Sequence, residues 1–183
     1  MGHFAVSAIG RDRPGIVAAV AEGLLEVDGN VEDSRMTNLG GHFAVMLLVS
    51  TPAEHDLDRI ERALAPARER LGLEALSVSE VDGAEADSGA GGTSGRPDHV
   101  ITVYGSDHPG IVHAISTGLA TAGVNITDLQ TSLGGSAEAP IYMMLLEVEI
   151  GDVDVETLTT HLREIGGRAA VEVEIRPLDP ETL

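Results

Sequence analysis

Apolar side chains recur along this chain with two alternating periods, and the whole pattern is written twice. Residues 3–9 (His-Phe-Ala-Val-Ser-Ala-Ile) are a short apolar stretch stopped by Gly10, which predicts a strand. Ile16, Val20 and Leu24, with Ala19 and Gly23 beside them, then take the i, i+4, i+8 spacing of one helical face, and Pro14 suits the first helical position. Gly29 is expected to stop that helix. Asn30 to Asn38 predicts a second strand, Gly40-Gly41 a hairpin turn, and His42 to Ser50 a third strand rich in Val, Leu and Met. A second amphipathic helix is expected from about Asp56 to Leu71, with Leu57, Ile60, Leu64, Ala67 and Leu71 on one face, followed by a closing strand from Ala75 to Val81.

The same order returns as strand 99–104, helix 109–122, strand 125–133, strand 141–150, helix 153–165 and strand 169–176. Val6-Ser7-Ala8-Ile9-Gly10-Arg11-Asp12-Arg13-Pro14-Gly15-Ile16-Val17 recurs 95 positions later as Ile101-Thr102-Val103-Tyr104-Gly105-Ser106-Asp107-His108-Pro109-Gly110-Ile111-Val112. The register holds to Asp33 and Asp128, after which a slip of one residue aligns Leu39-Gly40-Gly41 with Leu133-Gly134-Gly135. Each copy is about 80 residues long, well beyond the periods of solenoids, so each reads as a small domain of its own. Strand-helix-strand-strand-helix-strand is the split βαβ, or ferredoxin-like, arrangement: an α+β fold whose antiparallel sheet carries both helices on one face. Right-handed crossovers put the first and third strands at the centre and are expected to place both strand-to-helix turns at one end of the sheet.

Composition narrows the field. Thirty acidic residues face eleven basic ones, all arginine, for a formal net charge of −19. Residues 1–83 hold 14 acids and 7 arginines and residues 98–183 hold 14 acids and 3 arginines, so neither copy offers the basic face that nucleic-acid binding requires. With zero cysteines there is no thiol-ligated metal, and the scattered histidines show no metal-ligand spacing. No apolar run approaches the roughly 18 residues of a membrane span, so a cytoplasmic protein is expected. Ala84 to Pro97 is small and polar and reads as a flexible linker between a first domain at 1–83 and a second at 98–183.

The repeated Asp-x-Pro-Gly-Ile-Val at a strand-to-helix turn, followed by Asn-[Val/Ile]-x-Asp at the start of the second strand with Asp28 and Gly123 in the preceding glycine slot, resembles the ACT domain. The tandem pair is similar to the group of glycine cleavage system transcriptional repressor-like proteins. That resemblance implies a non-catalytic regulatory protein, a free amino acid as ligand, no cofactor, and domains that pair edge to edge with the ligand between them. Domains of this kind also precede the catalytic parts of phosphoserine phosphatases and formyltetrahydrofolate deformylases. Here the chain ends at Leu183, and no nucleophile, nucleotide-loop or dinucleotide signature occurs, so no enzyme is expected.

The chemistry of the motif is legible by itself. Where the chain turns into a helix at Asp12, Arg13, Pro14, Gly15 and Ile16, unpaired amides and the positive end of the helix dipole attract a carboxylate. Asn30, followed by Val31, is expected beside this turn, with an amide donor and a carbonyl acceptor for a zwitterion. Asp12 has the charge for an ammonium, and equally the placement to cap the helix. Copy two assigns the same parts to Asp107, His108, Pro109, Gly110, Ile111, Asn125 and Ile126, and Asp128 is a further acceptor there. Arg13 against His108 and Arg35 against Gln130 make the two sites inequivalent.

Three function classes follow: an amino-acid sensor that relays ligand state to a protein partner, a ligand-free interaction and assembly module, and, last, an enzyme or a separated regulatory piece of one. The copies are expected to pair side by side about a pseudo-twofold, because an unpaired edge strand is a liability. The apolar runs Val45 to Val49 and Met143 to Leu146 further predict a homodimer that buries the remaining sheet faces.

Overall fold

The computed structural model describes residues 1–52, 56–81, 96–136 and 139–178; of the expected linker only Arg96 and Pro97 are among them. Two compact units divide the chain, Met1–Thr93 and Ser94–Leu183. In the first domain the order is β1 (Gly2–Arg11), α1 (Ile16–Leu25), β2 (Asn30–Leu39), β3 (His42–Thr51), α2 (Leu57–Leu71) and β4 (Ala75–Val81). The second repeats it as β5 (His99–Gly105), α3 (Ile111–Thr121), β6 (Asn125–Ser136), β7 (Ala139–Glu149), α4 (Val155–Arg168) and β8 (Val171–Pro177).

The sheets run β2-β3-β1-β4 and β6-β7-β5-β8, with every neighbouring pair antiparallel and the first and third strands of each copy central. The two strand-to-helix turns of a copy do not share one end of the sheet. Arg11 pairs with His42 and Gly2 with Thr51, so β1 ends where β3 begins, and the turns into α1 and α2 lie at opposite ends.

Alternation along the central strands separates core from open face. Phe4, Val6 and Ala8 of β1 and Phe43, Val45, Leu47 and Val49 of β3 pack under α1 and α2, which contribute Ile16, Val20, Leu24, Ile60 and Leu64. A side chain of that size, fully removed from water, stabilises the fold by about 1.5–3 kcal/mol. Ile101, Val103, Ile115, Leu119, Met144, Leu146, Leu158 and Leu162 form the matching core of the second domain. The continuous apolar runs are thereby split. Met46 is 59% exposed on the face away from the helices, and its neighbours on that face include Ser7 and Ser77, whose hydroxyls lie 2.7 Å apart. The face is thus more polar than the run Val45 to Val49 suggests.

Local chemistry sets the helix ends. Asp56 and Asp154 cap α2 and α4 by accepting from the backbone N–H groups of Arg59 and Thr157. The stop of α1 is not made by Gly29: Asp28 takes the left-handed turn at φ 49°, and the Gly29 N–H donates to the Leu24 carbonyl at 2.9 Å. In the second domain Gly123 occupies that conformation at φ 76°. An L-residue there costs about 1–2 kcal/mol.

The ladders also correct the alignment of the copies. Asn38 pairs with Phe43, and Phe43 with Gly10; Leu133 pairs with Tyr142, and Tyr142 with Gly105. Leu133 is therefore the counterpart of Asn38, and the 95-residue offset continues to the end of the strand. The slip inferred from the Leu-Gly-Gly motif does not exist, since a longer β6–β7 hairpin absorbs the difference.

Candidate functional site

Each helix that follows a first strand begins bare. Gly15, at φ 97°, is the N-cap of α1, and Gly110, at φ 101°, that of α3; neither end has a side-chain cap. The first helical bonds run from Ala19 to the Gly15 carbonyl at 3.0 Å and from Ala114 to that of Gly110 at 2.9 Å. A Cβ on either glycine would meet nothing within 4 Å, so the backbone conformation demands glycine and the approach from solvent is open. Pro14 and Pro109 belong to the turn before the helix and not to its first position, because the left-handed glycine intervenes. Ile16 and Ile111 supply a helix-start amide while their side chains anchor in the cores.

Neither aspartate caps its helix. Asp12 donates its backbone N–H to the Gly41 carbonyl at 3.0 Å, and its carboxylate accepts from Asn38 Nδ2 at 2.5 Å. Asn38 carried no sequence signal beyond its place before a hairpin. Asp107 has Leu133 in that position, and among the described residues no side-chain hydrogen bond to it occurs. It opens onto a groove of about 780 Å³ that Tyr104, Ser106, Ile141 and Glu172 also line. There the Tyr104 hydroxyl donates to the Glu172 carboxylate, which raises the phenol above its ordinary pKa.

Arg13 and His108 both reach toward the turn after the domain's second helix. The Arg13 guanidinium lies 3.3 Å from where a Cβ on Gly72 would stand. His108 places Nδ1 3.1 Å from the Pro109 carbonyl and Nε2 2.6 Å from the Ala169 carbonyl. A neutral imidazole has one N–H and cannot donate both bonds, so the pair favours the cation. The Pro109 carbonyl first, and then that of Ala169, accordingly push its pKa up.

The asparagines lie elsewhere. Asn30 pairs with Ser50, and Ser50 with His3 at the beginning of β1, whereas Arg11 and the turn lie beside His42 and Leu39. About nine residues at roughly 3.3 Å each separate Asn30 from the helix start of its own domain. Asn125, paired with Glu149 next to the beginning of β5, is equally remote from Gly110. Within one domain the expected constellation therefore does not converge. Val31 and Ile126 lie on the helix side of their sheets, opposite Val49 and Val148; Ile126 packs against the core, whereas Val31 stays 40% exposed. The residue after each is an extra one in the strand: the register shifts between Val31 and Asp33 and between Ile126 and Asp128. This bulge puts Asn30 and Asp33 on one sheet face although they stand three apart in sequence.

The edge strand is bare in the first domain, where all ten residues of β2 are exposed. Beside it α1 presents Val17, Ala21 and Leu25, the first and last 51% and 73% exposed, on the flank away from α2. Met36, 60% exposed, extends that apolar strip on β2; in the second domain Val112 is the exposed counterpart of Val17, and Leu129 and Leu133 are exposed on β6 where the first domain has Ser34 and Asn38.

The chain thus carries two ferredoxin-like modules, each with an open helix start and, among the described residues, an outer strand paired on one side. The ACT domain model matches residues 3–77 and 98–176, and the chain belongs to the ACT domain family. A UPF0237 protein of Methanopyrus kandleri is 36% identical over 81 residues, 44% of this chain and 90% of that protein. Another UPF0237 protein, of Methanocaldococcus jannaschii, is 35% identical over the same shares. Among solved structures, a protein of unknown function from Galdieria sulphuraria superposes with a TM-score of 0.77 at 28% identity, over 97% of this chain and 99% of that one. A candidate glycine cleavage system transcriptional repressor shares the fold, with a TM-score of 0.71 at 16% identity over 97% and 98% of the two chains. Among the described residues no helix is long and apolar enough to cross a membrane.

Proposed function

We propose that this protein is a non-catalytic regulator that binds a free amino acid between paired ACT domains and relays its presence to a protein partner. The observation that carries the reading is the separation of the bare helix start from the asparagine along the edge strand of each domain. If two such edges pair antiparallel about a twofold, the Asn30 end of one strand lies against the Leu39 end of the other, next to that domain's Asp12 and Gly15. Residues remote within a domain then converge across the pair. The ligand carboxylate sits on the Gly15-Ile16 or Gly110-Ile111 amides, and Asn30 or Asn125 of the opposite domain holds its polar end. The exposed strip of Val17, Leu25 and Met36 supports pairing at this edge, because burial of apolar side chains drives association.

A thermal-shift screen against the twenty amino acids tests the sensor. At about 100 times its dissociation constant a ligand adds roughly 2.7 kcal/mol, a rise of several degrees for a chain of this size. Asn30→Ala and Asn125→Ala are expected to remove the shift at their respective sites. If no amino acid at millimolar concentration raises the melting temperature, the sensor reading fails, and the apolar strip then serves assembly without ligand.

A further inference from the structure

We infer that the groove between α3 and α4 of the second domain is a binding site for a small anionic molecule bearing a phosphate or carboxylate group, separate from the helix-start site. The groove measures about 430 Å³, within the range of small-ligand sites. His113 and Thr117 rise from α3, His161 and Arg168 from α4, and Gly118 forms the floor: a Cβ placed there would stand 3.8 Å from His161 Nε2. No acidic residue lines it, in a chain whose net charge is −19. Among the described residues Arg168 has no ion pair and no side-chain hydrogen bond, and neither do His113 and His161.

The first domain is an internal control. Counted from the N-caps Gly15 and Gly110, Ala18 corresponds to His113 and Glu22 to Thr117; counted from Asp56 and Asp154, Ala63 corresponds to His161 and Arg70 to Arg168. There Arg70 Nη2 donates to Glu22 Oε2 at 2.8 Å across the two helices, and the arginine is spent on its own domain. The second domain keeps the arginine, replaces its acid by threonine and replaces both alanines by histidines. The cation is thus freed and two imidazoles are added around it. A guanidinium fork with neighbouring N–H donors matches the oxygens of a phosphate or carboxylate.

The test is a titration of the full chain with inorganic phosphate and, separately, with citrate, followed by amide and imidazole NMR resonances. Shifts that saturate at His113, Gly118, His161 and Arg168 are expected. Saturation by phosphate alone assigns a phosphate group, and saturation by citrate alone assigns a carboxylate. Thr117→Glu rebuilds the pair that Glu22 makes with Arg70 and is expected to weaken binding about tenfold or more, as is Arg168→Gln. No saturable shift in this groove with either anion at tens of millimolar, or unchanged binding in both variants, overturns the inference.

Discussion

Asn38 donates its side-chain amide to the Asp12 carboxylate at 2.5 Å, across the end of the first sheet where β1 stops and β2 finishes. The second domain has Leu133 in the place of Asn38, so Asp107 lacks this donor. An aspartate that already accepts a bond has less capacity left for a ligand ammonium. Asp107→Asn is accordingly expected to weaken amino-acid binding by about tenfold, and Asp12→Asn by less than about threefold, each tenfold being about 1.4 kcal/mol. Isothermal titration of the two variants with the amino acid found in the thermal screen decides it; equal losses contradict the asymmetry.

Gly15 and Gly110 differ from ordinary tight-packing glycines, because the space around them is empty and only their φ values, 97° and 101°, exclude a side chain. Gly15→Ala and Gly110→Ala are each expected to cost about 1–3 kcal/mol in backbone strain, confined to the domain that carries the change. Hydrogen exchange resolved by domain measures this directly.

Gly23 and Gly118 occupy matching positions on the first helices of the two domains and face different neighbours. A Cβ on Gly23 would stand 2.7 Å from the Ala63 carbonyl oxygen, which is backbone, whereas one on Gly118 would stand 2.4 Å from Ile165 Cδ1, the tip of a flexible side chain. Gly23→Ala is expected to destabilise by about 1–3 kcal/mol through forced separation of α1 and α2, and Gly118→Ala by less than about 1 kcal/mol. Urea unfolding midpoints of the two variants rank them.

His108 couples the second domain to pH. Its pKa in the folded state is raised by the carbonyls of Pro109 and Ala169, so its contribution to stability is fully present below the ordinary histidine value. That contribution fades as pH rises through the raised folded value. The second domain is therefore expected to lose stability over the interval that begins near the ordinary histidine value of about 6.5 and runs up through the raised one, and His108→Gln to flatten that dependence. A pH series of denaturation midpoints checks the sign, and a midpoint that rises over this interval contradicts it.

Much of the molecule was legible before folding. The duplication, the twelve helices and strands among the described residues, the stripe Ile16, Val20 and Leu24 and the central placement of β1 and β3 follow from periodicity, turn residues and crossover handedness, which act over a few residues or through chain chirality. The glycines at 15 and 110 were legible as helix starts for the same reason. Tertiary structure alone decided which ends of the strands meet. Antiparallel pairing carries Asn30 to the far end of the sheet from Asp12, brings Asn38 to it instead, and makes Leu133 the counterpart of Asn38. It also brings Glu22 to Arg70 across 48 residues of sequence, and leaves Arg168 facing a threonine. Local preferences fix what each segment becomes, whereas register and helix packing are settled only when distant segments bury their apolar faces together, and the candidate sites are built from those distant meetings.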